Sequence, residues 1–334
     1  MRPRRRRWWL ATGLAALAVL ALASLAVGSR PIPPGTVLAA LWNYDPGNDL
    51  HLVVRSLRVP RLATAVLAGA ALGLAGAIMQ AITRNPLAEP GLLGINAGAA
   101  VAVVIGVSLF GLTRPAHYVW FAALGAGLAG TAVFLLGRAH ETGTNPVRLV
   151  LAGAGLSAVL LAATGIVALN APPTAFDDFR HWMAGSVEGA GPEALAVLAI
   201  AVAAGFVAAL SVVGGLNALA LGQELGQALG AAPGRVWLLS CLAVMLLAGA
   251  ATAAAGPIGF IGLVAPHLAR LVCGPDHRWT LPGSALSAAL LLLGADVVGR
   301  VVAAPAEVAA GIVAALLGGP FFIAVVRRFR VSQP

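Results

Sequence analysis

Lysine is absent from this chain, and all 21 basic residues are arginine. A Walker A loop needs its lysine to reach the phosphates, so an ordinary P-loop is excluded. Schiff-base chemistry and a Ser-Lys dyad are excluded by the same absence. Charge of either sign is scarce, 10% of residues, where soluble domains carry roughly 25%. The arginines are scattered between apolar runs, which leaves no basic solvated face for nucleic acid. Two cysteines make no disulfide framework, and Cys241, inside an apolar run, reads as a small buried hydrophobe. His267, Cys273 and His277 follow no strong zinc spacing and have no evident fourth ligand, so no metal site is assigned. HExxH and GxSxG are missing, and the spans hold neither a Ser-His nor an Asp-Asp pair, which removes the best case for an intramembrane protease.

What is present is apolar. Hydrophobic residues make up 60% of the 334-residue chain, its mean hydropathy is +0.92, and uncharged runs of spanning length recur from end to end. The sequence is read as one all-α polytopic membrane domain, residues 1–334, with about ten transmembrane helices. A basic start, MRPRRRRWW, precedes the apolar run Leu10 to Val27. It resembles a signal peptide but is long enough to span, so it is read as a retained first helix over 8–28 with its basic end inside. A Pro-rich external segment, 29–61, contains a short surface helix and ends in Arg55, Arg58 and Arg61. Helices two to six occupy 62–213, with spans near 62–82, 96–112, 118–136, 149–170 and 193–213 and a polar loop GRAHETGTNPVR between the fourth and fifth. Residues 171–192 are too polar to span and form a surface or re-entrant element. Residues 214–234 read as an inner loop of two short helices, and helices seven to ten fill 235–326, with spans near 235–255, 257–271, 284–302 and 306–326. With the N-terminus inside, the inner side collects fourteen arginines and the outer side seven, although without the termini the loops are nearly even at six against seven. The surplus of outer arginines therefore needs its own explanation.

Residues 67–78 and 247–258 match at eight of twelve positions, and five crossings separate them. This hints at an inverted repeat of the kind transport proteins use. The stretch Gly256 to Arg278, GPIGFIGLVAPHLARLVCGPDHR, cannot be one smooth helix. Gly256-Pro257 loosens its start, Pro266 removes a helical hydrogen bond, and His267 and Arg270 follow where the apolar run ends. Irregular backbone in a bilayer needs protein or a water-filled cavity to satisfy it, so this segment reads as a joint between the membrane path and the inner face. Asp296 is the deepest charge, with Arg300 four residues on and able to pair with it. Gln80, Thr164 and Asn170 are the other polar groups in spans, of the type that bonds across helices. So few intramembrane charges weaken an ion-coupled secondary transporter. Between Gly222 and Gly230 the sequence GQELGQALG forms a short amphipathic helix bounded by glycines, shaped to lie in a partner's groove.

The runs RNPLAEPGLLGINAGA, LNALALGQELGQALG, GPIGFIGLVAPHLARL with the following DHR, GADVVGR and GGPFF, in this order, resemble the FecCD family of bacterial importer permeases for iron–siderophores, haem and vitamin B12. The resemblance runs from Arg55 to Phe322 and implies a vitamin B12 permease-like fold and a dimer, homodimer or heterodimer, with a path along the subunit interface. It implies that two cytoplasmic ATPase subunits, which hold the ATP and Mg, dock on Leu219, Gly222, Gln223, Glu224 and Gly230. It further implies that a periplasmic or lipoprotein binding protein docks outside on Arg55, Arg58, Arg61 and Arg300, which accounts for the outer surplus. Gln80, Asn85, Pro86, Gly256, Pro257, Pro266, His267, Arg270 and Asp296 fall on the path or its supports. The chain itself then binds no cofactor and catalyses nothing; it lies in the bacterial inner membrane with both termini cytoplasmic, and an iron–siderophore is the favoured cargo. One departure from the family is Pro305-Ala306-Glu307-Val308-Ala309, where an acidic-leucine-proline turn is usual, which leaves the start of the last helix open.

Overall fold

The computed structural model describes residues 3–28, 30–112, 115–137 and 146–328. The loop expected between the fourth and fifth spans lies mostly outside these residues, as does the last part of the basic tail. The described residues form fourteen α-helices in the order α1 (Pro3–Ala26), α2 (Pro34–Trp42), α3 (Asp49–Val53), α4 (Val59–Thr83), α5 (Ile95–Phe110), α6 (Pro115–Leu136), α7 (Pro146–Leu169), α8 (Pro173–Met183), α9 (Pro192–Leu219), α10 (Gln223–Ala228), α11 (Pro233–Ala255), α12 (Ile261–Cys273), α13 (His277–Val302) and α14 (Ala310–Arg328). Among them seven helical stretches are long and apolar enough to cross a membrane, and α5, α12 and α14 are shorter apolar helices that bring the number to ten. Many helices open on proline, whose missing N–H is an unpaired donor in the first turn anyway. Ten crossings put the start of α1 and the end of α14 on one face, called here the N-terminal face.

α4 is the central post. It packs on α9, α11, α12 and α13, and most of its length is buried. A Cβ on Gly69 would lie 2.8 Å from the Ala288 carbonyl oxygen, and one on Gly73 or Gly76 would collide with the carbonyls of Ser284 or Gly262. This glycine stripe lets α13 and α12 approach backbone to backbone, which apolar helices in lipid need because packing is their main source of adhesion. The two segments of the suspected repeat belong to α4 and α11, which lie against each other and run antiparallel by the parity of crossings.

Several boundaries differ from the sequence reading, each for a local reason. The second span does not begin near residue 62: α3 continues through a π-helical turn, Val54–Arg58, directly into α4. Pro60 cannot donate to the preceding turn, and a widened turn absorbs that defect. The loop 214–234 holds one short helix rather than two, because α9 keeps its hydrogen bonds to Leu219 and only α10 is separate. α13 starts at His277 rather than near 284, since the Asp276 side chain caps it and Pro282 falls inside the helix. α14 begins at Ala310, four residues later than expected, because Val308 N donates to Gly299 O (3.0 Å) and holds 303–309 off the helix.

α5 and α12, at 16 and 13 residues, fall short of the ~20 residues a crossing takes. The segments before them, 84–94 and 256–260, therefore lie at membrane depth. There they meet: a Cβ on Gly262 would be 2.9 Å from Pro90 Cδ and 3.0 Å from the Leu72 carbonyl oxygen, beside the middle of α4. G76A should cost roughly 1–3 kcal/mol through overpacking, read as a lower melting temperature in detergent. G127A, with nothing within 4 Å of its added Cβ, should be neutral or stabilising by up to about 1 kcal/mol.

Candidate functional site

Three groupings carry the polar chemistry of this apolar bundle. The first sits on the face opposite the N-terminus. The π turn and the start of α4 present Arg55, Arg58 and Arg61 in steps of three, and α13 brings Asp296 and Arg300 against them. Arg61 Nε donates to Asp296 Oδ1 at 2.9 Å and Arg61 Nη1 to Glu307 Oε2 at 2.6 Å, with Glu188 Oε2 3.6 Å away. Arg300 Nη2 lies 3.0 Å from Asp296 Oδ2, and its Nη1 donates to the carbonyls of Ser24 (2.9 Å) and Val27 (3.0 Å). Arg58 donates to the carbonyls of Leu25 and Arg30.

Three of the four arginines expected at the binding-protein face thus hold partners within the chain. Arg58 is 8% exposed and Arg300 4%, while the Arg61 side chain is 12% exposed. A desolvated guanidinium must find acceptors, and the chain end of α1 with Asp296 and Glu307 supplies them. The Asp296–Arg300 pair itself is present as read from the sequence. Arg55 alone of the four is exposed; it donates to Ala40 O and Leu41 O (both 3.1 Å) and lies 4.6 Å over the Tyr44 ring.

The second grouping is the mid-membrane joint. Gly256, at φ +72°, packs on the Trp182 carbonyl with no room for a Cβ, and Gly185 crowds the Pro257 carbonyl oxygen. As the sequence implies, Gly256–Arg278 is not one smooth helix: α12 runs on through Pro266, and the interruption lies in 256–260. Gln80 Nε2 donates to Leu263 O (3.3 Å) and its Oε1 accepts from Arg270, while His267 Nδ1 meets Leu263 O at 3.0 Å and its ring stands edge-on to Phe321. Asn85 Oδ1 accepts from Leu87 N (2.9 Å), closing the turn with Pro86 after α4.

Sequence reasoning missed the polar wall beside this joint. Glu89 and Asn96 line a cavity of about 350 Å³ with Ser157, Met183 and Pro257, and the Glu89 carboxyl faces the Phe260 backbone. Asn96 Oδ1 accepts from Thr252 (2.9 Å). The signal was available, since both stand in RNPLAEPGLLGINAGA, but Glu89 reads as a loop residue and Asn96 as the start of a span until the loop is seen to enter the membrane.

The third grouping is on the N-terminal face. α10 projects between Gly222 (φ +119°) and Gly230 (φ +86°), conformations that glycine adopts without strain. Gln223, Glu224, Leu221, Leu225 and Leu229 are exposed; Leu225 lies on α10, and Leu221 and Leu229 flank its two ends. Leu219 is half-buried under Gly226, and its carbonyl accepts from Arg84 Nη2 (2.7 Å). Behind this loop, Asp276 is held below the usual carboxylate range: desolvation pushes the other way, but hydrogen bonds from Arg278 N and Asn217 and the charges of Arg278 and Arg6 outweigh it.

A sequence model of the FecCD transport family matches residues 16–328. The chain belongs to this family. It is 44% identical over 318 residues to the ferric enterobactin transport system permease protein of Escherichia coli (strain K12), covering 95% of this chain and 94% of that one. It is 39% identical over 325 residues to the iron(3+)-hydroxamate import system permease protein of Bacillus subtilis (strain 168), covering 96% and 83%. Among solved structures, an inward-facing conformation of a metal-chelate type ABC transporter superposes with a TM-score of 0.80 at 26% identity, over 97% of this chain and 100% of that one. As a FecCD chain, this protein is a multi-pass permease subunit of the ABC importer type.

The Arg61–Asp296–Arg300 cluster ties α4, α13 and the end of α1 together on one face. D296A should cost about 3–5 kcal/mol, because two buried guanidinium groups lose their shared carboxylate, measured by thermal unfolding in detergent. R180A, which breaks an exposed pair with Asp177 (3.2 Å), should cost no more than about 1 kcal/mol.

Proposed function

We propose that this chain is the membrane-spanning half of an importer that moves an iron–siderophore complex into the bacterial cytoplasm, driven by ATP hydrolysis on two separate subunits. The N-terminal face is cytoplasmic, both termini lie there, and the membrane is the inner one. The basic ends favour this orientation. The two relatives named above carry iron chelates by name, which favours that cargo. The observation that carries the reading is α10, a short helix with exposed leucines on it and at both its ends, held out from a bundle that otherwise exposes apolar surface to lipid. Exposed leucines at 60–65% on a solvated loop are the form of a helix waiting for a groove. Leu221, Leu225 and Leu229 with Gln223 and Glu224 are its docking face, Gly222 and Gly230 set its angle, and Leu219 is its base. ATP and Mg belong to the partner subunits; this chain is not an enzyme and holds no cofactor.

A periplasmic or lipoprotein binding protein docks on the opposite face. Arg55 offers the accessible cation there, and Arg58, Arg61 and Arg300 shape the surface from beneath. A second permease subunit lies against α7, whose Leu151, Val159 and Ile166 are exposed and which borders the Glu89–Asn96 cavity. A carboxylate and an amide are costly against lipid, so this groove faces a path between subunits. The path is otherwise apolar, suited to passing a bulky chelate rather than holding it.

In proteoliposomes the chain with its ATPase subunits and loaded binding protein should take up the ferric chelate only with ATP, and the chain alone should neither transport nor hydrolyse ATP. L225D should weaken ATPase docking by about 2 kcal/mol, roughly thirty-fold. Uptake by the chain alone, driven by an ion gradient, would make it a secondary transporter instead.

A further inference from the structure

The DHR motif at Asp276–Arg278 is not used by any role given so far, and the structure ties it to the foot of the coupling loop. Asn217 lies in the last turn of α9, two residues before Leu219. Its Nδ2 donates to Asp276 Oδ1 at 2.9 Å, and its Oδ1 accepts from His277 N at 3.0 Å and meets His277 Nδ1 at 2.8 Å. One side chain thus holds both the capping carboxylate of α13 and that helix's first backbone N–H. Asp276 is further fixed by Arg278 N (3.0 Å) and by Arg6 Nη1 (3.8 Å). Polar groups in contact with the last turn of an otherwise apolar helix commonly serve only to join neighbours. Here the neighbour is a rod that continues to the other face.

α13 has 26 residues, about 39 Å at 1.5 Å per residue. It is held without play against α4 at Gly69 and Gly73, where its own backbone fills the space a Cβ would take. Its far end carries Asp296 and Arg300, the centre of the cluster that joins α4, the 184–191 and 303–309 loops and the end of α1. A displacement of α9's end is therefore handed to a stiff element whose other end sits in that cluster on the opposite face.

We propose that Asn217 is a positioning residue for energy coupling: it transmits movement of the α10 loop to α13, and through α13 to the Arg61–Asp296–Arg300 cluster. The inference rests on the reading of α10 as the ATPase-docking helix. Coupling between distant sites is established by a two-state element that both sites bias, not by position alone, so the test reads the far end directly.

Spin labels at Val302 (end of α13) and Phe176 (α8), both exposed positions, report the opposite face, and both native cysteines are buried. The complex with the ATPase subunits is compared without nucleotide and with ATP and vanadate. The parent should show a second distance population with nucleotide. N217A should bind the ATPase and hydrolyse ATP at the parent's basal rate, while that population falls about ten-fold. The exchange N217D/D276N restores the amide–carboxylate pair in reverse and should recover it, which a general loss of stability would not. If N217A fails to fold, N217D alone, which keeps the side-chain size, should show the same loss and recover with D276N. An unchanged distance response in N217A or N217D, or no recovery in the exchange, overturns the proposal. Failure of the parent to bind the ATPase overturns the docking reading and this inference with it, whereas a coupled parent with a coupled N217A overturns this inference alone.

Discussion

Every peptide N–H and C=O placed in hydrocarbon must find a partner, and the fold follows from how this chain meets that demand where its helices stop short. α5 and α12 are too short to cross alone, and the segments that precede them, 84–94 and 256–260, are irregular. Neither could face lipid. The first closes on itself, with Asn85, Glu89 and Gly91 carbonyls accepting from Ala88, Leu92 and Gly94 N, and in the second the Phe260 carbonyl accepts from Leu263 and Val264 N; the two pack together where Gly262 rests between Pro90 and the Leu72–Gly76 stretch of α4. A permease gains from this arrangement, because the backbone at mid-depth is held by a few contacts rather than by a continuous helical ladder. Such a region can rearrange between two packed states without exposing unpaired groups.

The two faces of the bundle solve different problems. On the opposite face the charges are gathered inward, three arginines around Asp296, Glu307 and the carbonyls at the end of α1. That cluster fixes the relative positions of α1, α4, α13 and two loops while leaving Arg55 outside. On the N-terminal face the polar groups hold a projecting element in place: Arg84 on the Leu219 carbonyl, and Asn217 on Asp276 and His277. α13 spans both groupings, so the molecule has a stiff connection from the loop that carries α10 to the charged cluster on the opposite face.

Much of this was legible in the sequence. Apolar runs gave the ten crossings, the Gly-bounded GQELGQALG gave the projecting helix, and Gly256-Pro257 marked the joint. What was not legible depended on partners far along the chain. The arginines at 55, 58, 61 and 300 look alike in sequence; whether each faces outward is decided by carbonyls at 24–30 and carboxylates at 296 and 307, which only the fold brings near. Pro266 looks like a breaker but sits where the lost hydrogen bond leaves the Gly262 carbonyl against Gly76. Glu89 reads as a surface loop residue because local polarity does not reveal that a loop turns back into the membrane. Pro60 is visible, but not that a π turn would carry α3 into α4 rather than end it.

In the proposed transport cycle 256–260 moves as a joint rather than remaining static packing. Gly259 tests it, since nothing lies within 4 Å of a Cβ added there and Cys241 and Cys273 are buried. G259C in the complex with its ATPase subunits is exposed to a membrane-impermeant thiol reagent without nucleotide and with ATP and vanadate. The account predicts that the labelling rate changes with nucleotide state. Equal rates in both states, whether high or negligible, would contradict it.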